Sequence, residues 1–126
     1  MLKTYPAIFH QETNDHYWIE FPNFGGGTAS IGIEESMKHA HDMLESVLAT
    51  YIDQGMELPE PTEISTLKVD HGFATLIQVD PTPFLKSTKA LRKNVTVPEW
   101  LVRLADRQKI NYSETLTKAL EDLLFP

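Results

Sequence analysis

Three polar side chains that can read DNA bases alternate along one short segment of the chain. Arg92, Asn94 and Thr96 share one parity, whereas the apolar residues Val95 and Val97 share the other. In a β-strand, side chains of one parity lie on one face, so the three polar groups would lie together. In the major groove, arginine suits guanine, asparagine suits adenine, and threonine bonds either base or contacts a thymine methyl. The pattern predicts a strand that presents a base-contacting face to DNA.

Groups that can bind phosphate lie close to this segment. Lys93 and Lys109 supply positive charge. Ser113 is a good N-cap residue for a last helix, and the free backbone N–H groups at a helix N-terminus bind anions. We therefore expect Lys93, Lys109 and the N–H groups at Ser113 and Glu114 to hold DNA phosphates.

Other candidate chemistries have weak support in the sequence. The glycines at 25–27 lack the Gly-Lys-Ser/Thr that follows in a phosphate-binding loop. His39 and His41 are two residues apart, so on a helix they face different directions and do not share a metal ion. The chain has no cysteine, which excludes disulfides and thiolate zinc sites. We expect neither a metal site nor a cofactor.

Charge divides the chain into two parts. Residues 1–80 carry thirteen acidic and three basic side chains, whereas residues 81–126 carry eight basic and five acidic ones. The overall net charge of −7 therefore combines an acidic body with a basic tail. This asymmetry indicates two modules with two different partners.

The sequence gives no sign of a membrane protein. No apolar run approaches the roughly 18 residues needed to cross a bilayer, and residues 1–10 lack the pattern of a signal peptide. We expect a cytoplasmic protein.

The acidic part has the pattern of an antiparallel α+β domain. Apolar residues at spacings of three and four predict one helix over residues 34–54, and Gly55 fits the position just past its end. Alternation and turn residues predict five strands around it, in the order β-β-β-α-β-β: residues 2–9, 17–21, 28–33, 64–69 and 73–79. In the second strand, Trp18 shares its face with Glu20, opposite Ile19 and Phe21. Trp18 therefore serves either strand packing or partner anchoring.

The basic part follows a proline-containing linker, residues 81–90, which has room for one helical turn. Residues 91–97 are predicted as a short strand. A helix then begins at Pro98 and runs to about Lys109, and a last helix ends at Leu124. The module is therefore strand–helix–helix over residues 91–126.

A module of this size needs a second copy. Below about 40 residues a domain rarely buries enough surface to be stable, and a single strand leaves both edges unpaired. Pairing two strands across a two-fold axis would form a ribbon whose one face is covered by four helices. The other face, with Arg92, Asn94 and Thr96, would enter the major groove.

Two stretches of the sequence resemble known families. The run "RKNVTVPEWLVRLADRQKINYSETLTKAL" resembles a ribbon–helix–helix DNA-binding domain. "YPAIFHQETNDHYWIEFPNFGG", followed by "SIGIEESMKHAHDMLESVLATYIDQGMELPEP", is similar to HicB antitoxins. The resemblance implies a partial RNase H-like domain at residues 1–80, followed by the DNA-binding tail. It departs from relatives at residues 24–27, where a Leu-Pro-Gly-type turn is more usual.

The resemblance also implies a function. HicB-type proteins bind and silence a small toxin ribonuclease, HicA, that cleaves mRNA, and the pair represses its own operon through the antitoxin's tail. Active RNase H-like enzymes carry an acid on the first strand, and residues 2–9 contain none. We therefore expect no enzymatic activity, and a homodimer that binds toxin and operator DNA.

Two alternatives are left open by the residues themselves. One is a ribbon–helix–helix repressor in which residues 1–80 sense a small molecule or a metal. The other is a weak RNase H-like nuclease. Metal-dependent DNA binding would favour the first, and metal-dependent RNA cleavage by the isolated chain would favour the second.

Overall fold

A computed structural model describes all 126 residues. It divides into two units, Met1–Thr88 and Lys89–Pro126. The break falls inside the segment predicted as a linker. The fold belongs to the α+β class, with one four-stranded sheet and three helices.

The sheet of the first unit is antiparallel throughout. Its strands, in the spatial order β3-β2-β1-β4, are β1 (Lys3–Thr13), β2 (His16–Phe21), β3 (Gly26–Ile31) and β4 (Gly72–Val79). Phe9 lies at the centre, opposite Ile19 on β2 and Phe73 on β4. Tyr5, Ala7 and Phe9 lie on one face of β1 and join the core cluster. Pro6 and Ile8, which lie between them on the other face, are also buried.

Helix α1 (Ile33–Asp53) supplies the other half of the core. Ala40, Leu44 and Leu48 recur at spacings of four and are fully buried among the strand side chains. Gly55 lies just past the end of the helix, as predicted, and its φ is +69°. The Gly55 N–H donates to the Ile52 carbonyl, and the Met56 N–H donates to the Tyr51 carbonyl, one residue further back. This pair of bonds is a Schellman motif, which favours glycine at this position.

The fourth of the five predicted strands, residues 64–69, is absent, so the order is β-β-β-α-β. Residues 64–69 contain a 3₁₀ turn, Ile64–Thr66, in place of a strand. Both the backbone N–H and the hydroxyl of Thr66 donate to the Glu63 carbonyl, at 3.0 and 2.7 Å. Ser and Thr side chains compete with ladder hydrogen bonds in this way, so β-branched character alone gave the wrong prediction.

Asp53, the last residue of α1, fixes the segment around residues 86 and 87, which follows strand β4. After a 3₁₀ turn, Thr82–Phe84, the N–H groups of Lys86 and Ser87 donate to its carboxylate at 2.9 and 3.0 Å. The Ser87 hydroxyl donates to the same group at 2.6 Å. This hydroxyl first, and then the backbone donors, lower the pKa of Asp53. Above the ordinary pKa of an aspartate, about 4, the Asp53 carboxylate is ionised and keeps its contacts with Lys86 and Ser87. These contacts are lost as the pH falls below this value, through the lowered pKa of Asp53.

Replacing Asp53 with alanine is expected to expose the chain around Lys86 and Lys89 to trypsin. The substitution removes every acceptor that fixes Lys86 and Ser87, and an unfixed backbone is cleaved faster. Asp42→Ala, on the same helix, is the matched control. Limited proteolysis at neutral pH, followed by mass spectrometry, measures the cleavage rate. Equal rates in the two variants would show that Asp53 does not fix this segment.

The second unit contains two helices. Helix α2 (Glu99–Arg107) follows Pro98, and helix α3 (Tyr112–Leu124) follows a short turn. Residues 91–97 form no strand in the single chain. A strand is defined by its hydrogen-bonded neighbour, and this unit contains no second strand. None of the three helices combines the length and the apolar character needed to span a membrane.

Candidate functional site

The second unit has no interior of its own. None of residues 89–126 is buried. Large apolar side chains are exposed along the segment before Pro98 and along both helices: Leu91, Val95, Val97, Trp100, Leu101, Leu104, Ile110, Tyr112, Leu116, Leu120, Leu123 and Leu124. Soluble proteins rarely leave so many apolar groups in water unless a partner covers them.

The turn between α2 and α3 places Lys109 in an unusual conformation. Its φ is +56°, and it is the only residue other than glycine with a positive φ. The N–H groups of Lys109 and Ile110 donate to the carbonyls of Asp106 and Ala105, which is again a Schellman arrangement. This position normally favours glycine because a β-carbon is strained there. The lysine therefore holds its positive charge on a rigid turn.

Asn111, and not Ser113, caps helix α3. The Asn111 side chain accepts from the Glu114 N–H at 3.1 Å. Ser113 is the second residue of the helix, so its prediction as the cap is wrong. The sequence carried the missed signal, because Asn111 and Glu114 have the spacing of a capping box. The Glu114 N–H therefore already donates to the Asn111 side chain. The N–H groups that precede it in the first turn of α3 have no acceptor within the helix.

Tyr112 ties the start of α3 to α2. Its hydroxyl donates to the Asp106 carboxylate and lies 3.3 Å from the Val102 carbonyl oxygen. The bond to Asp106 is the main cause of the raised pKa of Tyr112. Lys109 and Ser113 are therefore held on one ordered helix–turn–helix segment.

Replacing Asn111 with alanine is expected to lower the free energy of unfolding of the second unit by about 1 kcal/mol. The change removes the acceptor for the Glu114 N–H and leaves the rest of the helix unchanged. Asn111→Ser keeps a capping oxygen and serves as the control. Thermal unfolding followed by circular dichroism measures the difference. A loss in the serine variant equal to that in the alanine variant would contradict the capping role.

The predicted base-contacting residues all lie in one exposed segment. Arg92, Lys93, Asn94 and Thr96 are exposed between residues 91 and 97. The single chain does not pair this segment, so the alternation of Arg92, Asn94 and Thr96 with the valines stays a prediction. Chemically, the segment offers a bidentate donor, an amide and a hydroxyl, which suit base edges.

The first unit offers a surface of the opposite sign. Met1–Thr88 contains thirteen carboxylates and four lysines, a net charge of −9. Three of the carboxylates, Asp15, Glu20 and Glu35, lie within 3.6–3.9 Å of histidine side chains. These pairs are partly exposed and neutralise little of the excess. Such a surface attracts a basic partner and steers its approach.

The carboxylates and histidines of the chain do not converge. No group of three or more could hold a metal ion. Strand β1 runs to Thr13, past its predicted end at residue 9, so the first strand does include one acid, Glu12. Glu12 and Asp15 are both exposed near the β1–β2 turn, and Glu20 is half-buried on β2. His39 lies 3.9 Å from Glu35, and His41 donates through Nδ1 to the Met37 carbonyl at 2.9 Å. The two histidines therefore have separate structural contacts.

Comparison with known proteins gives consistent matches. Residues 5–123 match the model of a family described as the HicB-like antitoxin of bacterial toxin–antitoxin systems. A chain of a toxin–antitoxin complex from Streptococcus pneumoniae is 30% identical, with a TM-score of 0.64; the match covers 97% of this chain and 99% of that one. The antitoxin HicB of Burkholderia pseudomallei is 19% identical, with a TM-score of 0.58 and coverage of 97% and 98%.

The comparison with curated proteins gives no match. The Burkholderia structure shares the fold, and the Streptococcus structure shares both fold and sequence over almost the full length. The resemblance to HicB antitoxins that the sequence predicted is thereby confirmed. With a family match over nearly all of its residues, this chain belongs to the HicB-like antitoxins of bacterial toxin–antitoxin systems.

Proposed function

We propose that this antitoxin binds and inhibits a HicA-type, mRNA-cleaving toxin, and represses its own operon by binding operator DNA. The observation that carries the proposal is the opposite charge of the two units. The first has a net charge of −9, whereas Lys89–Pro126 contains seven basic and five acidic side chains. A ribonuclease that binds RNA needs a basic surface, which the first unit complements.

The toxin-binding role is assigned to the first unit. This unit has its own core of strand and helix side chains. The similar Streptococcus chain comes from a toxin–antitoxin complex, and this supports a protein toxin as the partner here. The antitoxin itself acts by binding and has no enzymatic role in this proposal.

The DNA-binding role is assigned to a homodimer of the second unit. The exposed apolar side chains of α2 and α3 need a cover, and residues 91–97 need a strand partner. A second copy supplies both at once. In the resulting ribbon, Arg92, Asn94 and Thr96 contact bases, whereas Lys93, Lys109 and the N–H groups near Ser113 contact phosphates. The Glu114 N–H contributes only through the cap that it forms with Asn111.

Co-expression tests the toxin-binding role. The affinity-tagged full-length chain is produced together with the product of the reading frame beside its gene, which the proposal expects to be a small basic protein. We expect the two to elute together, and their dissociation constant to rise with salt concentration because the attraction is electrostatic. Failure of a folded, full-length chain to retain this protein at low salt would contradict the proposal.

A further inference from the structure

A cleft opens beside the turn between β2 and β3. It has a volume of about 420 Å³ and is lined by Trp18, Glu20, Pro22 and the glycines at 25–27. Trp18 and Glu20 share one face of β2, as their spacing of two predicts. Glycine provides no side chain, so one wall of the cleft is bare backbone.

Gly27 fixes the aromatic wall of this cleft. A β-carbon at Gly27 would lie 2.6 Å from a Trp18 ring atom and 2.4 Å from the Ile19 carbonyl oxygen. The indole therefore lies directly against the Gly27 backbone. Trp18 is nevertheless 39% exposed. It presents aromatic surface that is held in place before any partner arrives, which lowers the entropic cost of binding.

Glu20 provides the charged group of the cleft. It lies opposite Gly27 in the β2–β3 register. On the other side, its carboxylate is 3.8 Å from His10 Nε2, and its side chain is 41% exposed. A carboxylate has about four acceptor positions, so a single long contact with histidine leaves capacity for a donor from a partner.

We propose that this cleft binds an arginine side chain of the toxin, with the guanidinium stacked on Trp18 and paired with Glu20. The inference rests on the proposed function and names the toxin contact within it. Guanidinium suits the site because it combines a planar face for stacking with donors for a carboxylate. A phosphate is disfavoured because Glu20 and the net charge of −9 repel it. The same negative charge makes the first unit of a second copy of this chain an unfavourable occupant of the cleft.

Calorimetric titration of the full-length chain with the small basic protein encoded beside its gene tests the inference. Because buried aromatic anchors dominate interfaces, Trp18→Ala is expected to raise the dissociation constant about 30-fold. Glu20→Gln, which keeps the shape of the side chain, is expected to raise it at least tenfold. Glu57→Gln removes the same charge from an exposed position elsewhere in the unit, and should change it less than threefold. Trp18→Phe should recover part of the loss.

The outcomes separate this inference from the proposed function. If the chain binds the toxin but Trp18→Ala and Glu20→Gln bind as wild type, the cleft is not the arginine site. An effect of these variants on self-association alone would also overturn the inference, because a second copy would then fill the cleft.

If no toxin binds, the proposed function fails. The arginine site is then tested by itself, by titrating the chain with a short arginine peptide. The Trp100→Phe variant leaves Trp18 as the only tryptophan. Its fluorescence is titrated with a capped Gly-Arg-Gly peptide and with the neutral citrulline analogue. A saturable change with arginine alone, absent in Glu20→Gln, supports the site. No change with either peptide overturns it.

Discussion

Replacing Leu116 with alanine is expected to convert the full-length chain from a dimer to a monomer at micromolar concentration. Leu116 is exposed on α3 in the single chain, and the proposed dimer would bury it twice. Truncating a buried leucine to alanine costs about 2–5 kcal/mol. Two copies would cost at least about 4 kcal/mol, and so raise the dissociation constant roughly a thousandfold.

Sedimentation velocity over a range of concentrations measures this change. Asp122→Ala, on the polar side of the same helix, is the control and should leave the dimer intact. The monomeric variant is also expected to lose helicity at α2 and α3, because neither helix buries any of its side chains in the single chain. A Leu116→Ala chain with the same dimer stability as wild type would show that this helix face is not the dimer interface.

Replacing Asn94 with alanine is expected to weaken binding to the operator more than binding to scrambled DNA. A bidentate contact with adenine contributes about 1–3 kcal/mol of discrimination, and a dimer loses two such contacts. The preference for operator over scrambled DNA should therefore fall by at least about 30-fold. Equal loss on both DNAs would show that Asn94 does not read bases. No loss on either would show that the ribbon does not enter the groove.

Lys109 provides the contrasting variants for the same titrations. Lys109→Ala should weaken binding to all sequences and reduce the salt slope by about one unit for each of the two copies of Lys109 in the dimer. Lys109→Gly also removes the charge, but it relieves the strain of a φ of +56°. If phosphate contact is the role of Lys109, both variants lose affinity equally, although the glycine variant is the more stable protein.

The local periodic parts of the fold were predictable from the sequence. Helix α1 and its end at Gly55 follow from a stripe of apolar residues and a glycine, which are local signals. Residues 64–69 were mispredicted because β-branched residues form a strand only where a ladder accepts them. Here the hydroxyl of Thr66 bonds within its own turn instead.

The candidate sites were predictable only in part. The alternation of side chains along β2 correctly predicted that Trp18 and Glu20 lie on the same face. The contact between Trp18 and Gly27 depends on the register of β2 and β3, which no local sequence pattern specifies. The positive φ of Lys109 was not predictable, because a glycine normally indicates such a conformation and this position holds a lysine. In the proposed dimer, the strand predicted at residues 91–97 would form only by pairing with a second chain, which no local pattern in one chain can specify.

Inhibition of the toxin's ribonuclease activity tests the central claim most directly. The rate of mRNA cleavage by the small basic protein encoded beside the gene is measured against increasing amounts of the full-length chain. We expect cleavage to fall in proportion to the added chain and to stop near equimolar amounts, because the proposed function has the acidic first unit cover the toxin. An unchanged cleavage rate in the presence of an excess of folded chain would contradict the proposed function.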